Sequence, residues 1–349
     1  MEAVVRSHLS SGWQTAAQCA VYRDGVLQLE LRLGEQRPDA RMLWFSATKP
    51  LTAVATLLLA ERGVIDLDAP IADVWPEFAQ GGKAAVTPRH VLTHRGGFPI
   101  FPPDFDWSRI DDWQAVTAAT ASLEAMWEPG TAIGYHPVTY GFALGELMRR
   151  FDGRMPRDLL RDELFAPLGM DASLGVGPDG DLASVVPVIA ESEVTFDDPE
   201  GSERRTSWMV ERFNSAATLR GQLPAANAVG TAEALARFYA MLANGGELDG
   251  MRILRADSVR EATSVQAHTD SDALWGMPAS YGLGFIVGGY PPLDTPGAYG
   301  HFGQQCAVGW ADPERGIAAA YITNGLHEPA IVALRNAEIG AAVIGACED

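Results

Sequence analysis

The sequence predicts an α+β fold: an antiparallel sheet flanked by helices, with a mainly helical lobe inserted into it. Strand patterning occurs near both ends of the 349-residue chain, while residues 63–225 are irregular, polar and rich in Pro and Gly, with short helical stretches. A sheet assembled from the two ends of a chain leaves the middle as an insertion. The expectation is a discontinuous sheet domain of residues 1–62 plus 226–349, a helical lobe of 63–225, and a site in the cleft between them. Hydrophobic residues make up 47% of the chain and charged residues 20%, the balance of a globular protein with a core to bury.

Ala17 to Leu33 reads as a hairpin, because two strand-like runs meet at Arg23-Asp24-Gly25, where Asp-Gly supplies the turn. A helix starting at about Ser46 follows, apolar on nearly all sides from Leu51 to Ala60 and therefore buried, and Gly63 ends it. Arg89 to Arg95, Tyr140 to Phe151 and Pro156 to Leu164 are the helices expected in the middle. Ala232 to Asn244 forms another, stopped by Gly245-Gly246. Tyr281 to Val287, Ala307 to Ala311 and Ile317 to Thr323 have strand patterning, and Asp312 to Gly316 makes a turn between the last two. A closing helix runs from Pro329 to about Gly345.

The net charge of −19 works against binding nucleic-acid phosphates or anionic membrane surfaces. No apolar run is expected to reach the roughly 18–20 residues of a membrane span. Met1 to His8 lacks the basic-then-apolar order of a secretion signal, which predicts a cytoplasmic protein. Cys19, Cys306 and Cys347 are scattered and odd in number, so reduced thiols are expected, with neither a disulfide framework nor a C-x-x-C metal spacing.

Only two of the 26 basic side chains are lysines, Lys49 and Lys83, and Lys49 stands three residues after Ser46 at the head of the most apolar stretch. Arg stays charged in proteins, whereas a desolvated Lys loses its proton near neutral pH and becomes a base. Residues three apart on a helix share a face, so a Ser-x-x-Lys pair places a hydroxyl beside a tunable amine, the makings of an activated nucleophile. A helix start also lends its positive dipole end to that nucleophile. Pro50 is compatible only with the first turn, where backbone donors lack intrahelical partners.

Two further segments carry chemistry. Pro129-Gly130-Thr131 opens a loop that ends in Tyr135, a phenol donor or acceptor. Gly300-His301-Phe302-Gly303-Gln304 lies between the last strands, where Gly303 would allow close approach to the backbone and the following amide could face an oxyanion.

Together and in this order, Ser46-x-x-Lys49, Pro-Gly-Thr-x-x-x-Tyr135 and His301-x-Gly303 resemble the serine β-lactamase and penicillin-binding-protein superfamily. They are most similar to its β-lactamase-like carboxylesterases. Thr87 to Pro99, Gly230 to Gly246, Tyr281 to Phe285 and Ala311 to Glu314 add to the likeness, which spans about residues 15–345. The resemblance implies a β-lactamase/transpeptidase-like fold and a two-step acyl transfer without a cofactor. Ser46 would be the nucleophile, Lys49 and Tyr135 the proton relay, and the amides of Ser46 and Gln304 the oxyanion donors. His301, at the position usually held by Lys, would donate to the substrate or to Tyr135. Pro137 replaces the Asn that holds the substrate amide in antibiotic-related members. With His301 in place of Lys, this turns the expectation from β-lactams or peptidoglycan stems toward small or medium acyl esters or lactones. An acyltransferase using the same acyl-enzyme is the alternative, followed by a β-lactamase or D-aminopeptidase and then a catalytically silent binding protein.

His90 and His94 are four apart on an expected helix, which is metal-ligand spacing, yet no Glu follows His90, and packing is the expectation. Cys306 reads as a small buried residue. The aromatic loop from Phe98 to Trp107 is either a satellite core or, through Phe101 and Trp107, the wall of an apolar pocket beside Ser46.

Overall fold

The computed structural model describes residues 1–190, 195–197 and 203–348. Its centre is an eight-stranded antiparallel sheet. In chain order the strands are β1 (Ala16–Arg23), β2 (Val26–Gly34), β3 (Ala267–Thr269), β4 (Ala279–Tyr281), β5 (Ile286–Val287), β6 (Tyr299–Gly303), β7 (Ala307–Asp312) and β8 (Ile317–Thr323). Their spatial order is β3-β4-β5-β6-β7-β8-β1-β2, so the first strand of the chain pairs with the last, Ala17 facing Thr323 and Arg23 facing Ile317. The hairpin turn is two residues long, with Asp24 (φ 48°) and Gly25 (φ 77°) both left-handed, the geometry that matches strand twist.

The central strands are buried on both faces, and their period of two divides the core. Ala318, Ala320 and Ile322 of β8 face one hydrophobic cluster, and Ile317, Ala319 and Tyr321 face another. The first cluster is covered by helices α2 (Lys49–Glu61), α3 (Thr139–Asp152) and α4 (Ala232–Ala243), and it runs without a break from the sheet into residues 63–225. The second is covered by Val5 of the N-terminal helix α1 (Glu2–Ser10) and by Ile339 and Val343 of the C-terminal helix α5 (Pro329–Glu348).

Several elements differ from expectation for local reasons. The helix expected from Ser46 is a 3-10 turn, Phe45–Thr48, that becomes α-helical at Lys49, so Pro50 occupies the first α-turn, where its missing N–H costs nothing. The segment Tyr281–Val287 is two short strands, because Gly284 (φ 86°) reverses the chain between them. The helix expected over Arg89–Arg95 is only Pro88–Leu92, started by a Thr87/His90 capping box and stopped before His94, whose φ is 57°. Pro156–Leu160 continues as a π-turn, Arg161–Phe165. Helices at Glu2–Ser10, Trp113–Ser122, Thr206–Phe213 and Ala256–Thr263 were not anticipated. The expectation that no run reaches membrane-span length is also corrected. Pro329–Cys347 is long and apolar enough to cross a membrane. In this structure its inner face, including Arg335, Ile339 and Val343, is buried against the protein.

One close approach joins the sheet to the turn that carries Ser46. A Cβ built at Gly303 of β6 would lie 2.0 Å from the Trp44 carbonyl oxygen, so only glycine lets the strand lie against that turn. Backbone cannot swing aside as a side chain can. Gly303→Ala is therefore expected to lower stability by about 1–3 kcal/mol. Gly345→Ala in α5, with nothing within 4 Å of its built Cβ, is expected to leave stability unchanged or raise it. Thermal unfolding of the two variants side by side checks both.

Candidate active site

The turn from Phe45 to Lys49 builds the site from the chain outward. Phe45, buried and left-handed at φ 47°, kinks the backbone out of the short strand Met42–Leu43. The amide of Lys49 then bonds the Ser46 carbonyl in 3-10 fashion. In such a turn side chains three apart eclipse, which lays the Lys49 side chain along that of Ser46. The result is an Nζ–Oγ distance of 3.0 Å. The base of α2 is tied across to residues 224–228: the Thr52 hydroxyl donates to the Pro224 carbonyl at 2.5 Å and the Ala228 amide donates to Thr48 Oγ1 at 3.0 Å.

Lys49 is wholly buried, and Nζ also donates to the carbonyls of Pro137 (2.7 Å) and Ala225 (3.2 Å). No carboxylate is among these partners. Burial alone pushes the amine well below the ordinary lysine range. A neutral amine has two N–H donors and one lone pair. With the donors committed to two carbonyls, the lone pair is left for the Ser46 hydroxyl.

Tyr135 closes over the pair. Its ring centroid is 4.7 Å from Lys49 Nζ and its hydroxyl is hydrogen-bonded to Ser46. Burial raises the phenol's pKa above its usual value, the Ser46 bond opposes that rise, and the charge of Asp272 adds to it. Three buried imidazoles surround the group. His94 packs 4.6 Å from the Tyr135 ring and accepts from the His136 amide at Nδ1 (3.1 Å). His136 donates through Nδ1 to the Gly134 carbonyl at 2.6 Å and accepts from the Phe98 amide at Nε2 (3.2 Å). His301, 6.0 Å from the Tyr135 ring, donates through Nδ1 to the Phe302 carbonyl at 2.6 Å. Burial lowers the pKa of each imidazole, to about 3 for His136 and His301. Neutral His301 therefore spends its one N–H on Phe302, leaving Nε2 as a buried acceptor without a partner. The expectation that His301 donates to substrate or to Tyr135 does not fit this tautomer.

Across the pocket, Gln304 (φ 25°) and Gln305 (φ 64°) turn the chain at the end of β6, with the Cys306 amide bonded to the Gly303 carbonyl at 2.8 Å. Gln304 borders the same cavity as Ser46 and Tyr135, so the backbone after Gly303 faces the turn that carries Ser46. Gly303 serves this arrangement by letting the strand touch Trp44, a different reason from approach by a substrate.

The cavity above Ser46 has a volume of about 130 Å³ and is walled by Phe45, Ile100, Trp107, Trp208 and Trp275, among others. Phe101 does not border it. It stacks on Phe105 at 4.2 Å behind Trp107 and belongs to a satellite cluster with Phe142, so the aromatic loop is both wall and core. His90 and His94 do not converge: His90 closes the helix cap while His94 packs on Tyr135. Cys306 is buried, its thiol pKa pushed up to about 12 by burial. Sequence reasoning brought Ser46, Lys49, Tyr135, His301, Gly303 and Gln304 to one place, expected His94 to pack, as it does against Tyr135, and missed Asp272 and Trp275. Asp272 offered no motif.

The family model described as Beta-lactamase matches residues 1–344. Over 315 residues the chain is 32% identical to the protein described as Esterase/beta-lactamase LipL from Mycobacterium tuberculosis, covering 84% of this chain and 71% of that one. The crystal structure of a penicillin-binding protein homologue from Caulobacter crescentus superposes with a TM-score of 0.80 at 31% identity, covering 97% of this chain and 96% of the other. That of a family VIII carboxylesterase superposes with a TM-score of 0.85 at 26% identity, covering 98% and 96%. With a β-lactamase/transpeptidase-like fold and a family match along nearly its whole length, this chain belongs to the beta-lactamase family of esterases and related hydrolases.

Proposed function

We propose that this protein is a serine hydrolase that cleaves carboxylic esters of small or medium acyl groups, or lactones, through an acyl-enzyme on Ser46. The observation that carries the reading is the 3.0 Å contact between Ser46 Oγ and a fully buried Lys49 amine whose other partners are two carbonyls. Lys49 takes the Ser46 proton as Oγ attacks the ester carbonyl carbon. The developing oxyanion is held by the amides of Ser46 and Gln304, each such donor worth about 3–4 kcal/mol. The proton returns to the leaving alkoxide by way of Tyr135, whose raised pKa keeps it protonated and able to donate. Water then attacks the acyl carbonyl, the same amine accepts its proton, and Ser46 leaves with a proton and frees the acid.

Esters fit better than β-lactams. Pro137 offers no side chain to hold an amide and lends its carbonyl to Lys49 instead, while neutral His301 offers no cation to a carboxylate. The proposed division of the chain gives each part a share of this chemistry. Residues 1–62 with 226–349 supply Ser46, Lys49 and the Gln304 amide, and residues 63–225 supply Tyr135 and the Ile100 and Trp107 walls.

Intact-protein mass after brief exposure to a fluorophosphonate or p-nitrophenyl acetate is expected to show one adduct on the wild type and none on Ser46→Ala. An adduct that survives the substitution overturns the assignment of Ser46. Trp107→Ala is expected to raise KM for bulky esters and spare acetyl esters, whereas Phe101→Ala lowers the melting temperature. Equal KM changes for both ester classes would count against the wall.

Lys49 also makes a prediction about stability. Its pKa is depressed in the fold and near 10.5 when unfolded. Between those two values the unfolded chain holds a proton that the native protein lacks, so stability rises with pH across that window and is lost as pH falls through it. Lys49→Met removes this linkage. Denaturant melts from pH 7 to 10 should show the wild type gaining on the variant as pH rises, while ester turnover by the variant falls at least 100-fold.

A further inference from the structure

We propose that Asp272 is a positioning residue: its carboxylate clamps the backbone of Tyr135 to the backbone of the Leu274-Trp275 pocket wall, so one side chain sets both the proton relay and the fit of the substrate's apolar group. The kinetic part rests on the esterase reading above, and the structural part stands without it.

Asp272 lies in the loop between β3 and β4 and is 2% exposed. Its Oδ1 accepts from the amides of Leu274 (2.8 Å), Trp275 (3.1 Å) and Tyr135 (3.1 Å). Its Oδ2 accepts from the Tyr135 amide (3.0 Å) and the Tyr281 hydroxyl (3.2 Å). The loop is closed on itself by Asp272 N–H to the Met277 carbonyl (2.9 Å) and Gly276 N–H to the Asp272 carbonyl (2.7 Å). It is also sewn to the Tyr135 loop by Ala273 N–H to the Ile133 carbonyl (2.8 Å).

Among the described residues no cation pairs with this carboxylate. Burying an anion costs several kcal/mol, and here its acceptor sites are filled by three backbone amides and a phenol. An acceptor-only group suits the place, because every neighbour aimed at it is a donor. Bonds to an ionised acceptor are about twice as strong as neutral ones.

The two segments so joined have different tasks. Tyr135 faces Lys49, His94, Tyr281 and His301, with its ring 4.7 Å from the Lys49 amine. Trp275 lies 5.8 Å from the Tyr135 ring, borders the cavity above Ser46 and is 49% exposed at its mouth. A shift of about 1 Å in a reacting group costs about 100-fold in rate, so slack in the loop would reach the chemistry as well as the wall.

Asp272→Asn tests this in the full chain, because it keeps the shape but puts an amide donor against donors. Asp270→Asn, at a fully exposed side chain two residues away, is the control. Hydrogen exchange is read by mass spectrometry on segments 131–138 and 272–277, and kcat and KM are measured for an acetyl and a bulky aryl ester. The clamp predicts exchange at least 10-fold faster in both segments and kcat down about 100-fold for both esters. It also predicts KM raised for the aryl ester alone, with Asp270→Asn like wild type. Faster exchange in 272–277 only, or a kcat loss that merely follows the unfolded fraction, overturns it. If the wild type cleaves neither ester, the esterase reading fails, and the exchange of the two segments still decides for or against the clamp. If Asp272→Asn does not fold, Tyr281→Phe removes one donor that aims the carboxylate. Faster exchange in 131–138 then supports the clamp, and no change overturns it.

Discussion

An amine carried into the interior without a counterion is the constraint on which the rest of this site depends. Lys49 sits under Tyr135 at the first turn of α2, and what receives it is not a carboxylate but the carbonyls of Pro137 and Ala225. A carboxylate would hold the ammonium form and leave a cation with no lone pair to give. Carbonyls are weaker partners, and burial favours the neutral amine. The surrounding imidazoles fit the same demand, since His94, His136 and His301 are all kept neutral by burial and so add no protons to the pocket.

The backbone around Ser46 is shaped as closely as the side chains. Phe45, Gln304 and Gln305 are non-glycine residues with positive φ, and they bracket Ser46 from the two segments that meet there. Such conformations cost of order 1 kcal/mol each and persist where the surroundings hold them. The missing side chain of Gly303 lets these two segments meet at the Trp44 carbonyl, and the bent backbone is supported by sheet pairing and by the packing of Phe45 against Phe213.

Much of this was legible in the sequence because it is written in local patterns. Ile317 to Thr323 was read to the residue, and the Asp24-Gly25 turn fixed the hairpin, since alternation and left-handed turns leave marks within a few positions. Ser46, Lys49 and Tyr135 could be picked out because their spacing is local or their motifs familiar in order. Asp272 was invisible: its partner across the site, Tyr135, is 137 positions away, and one acidic residue in a polar loop looks like any other. His301 was recognised by place, but its tautomer depends on a carbonyl whose direction only the folded strand fixes. The split of Tyr281–Val287 into two strands was missed because Gly284 is as compatible with a bulge as with a reversal.

Ser46 and Gln304 are separated by more than two-thirds of the chain, and the sheet that brings them together pairs its first strand with its last. In the unfolded chain Lys49 is a solvated ammonium and Ser46 an alcohol like any other. An unfolded or melted copy therefore lacks the buried amine that the proposed chemistry needs. Under the proposed mechanism, reactivity at Ser46 is therefore also a report that the chain has finished folding.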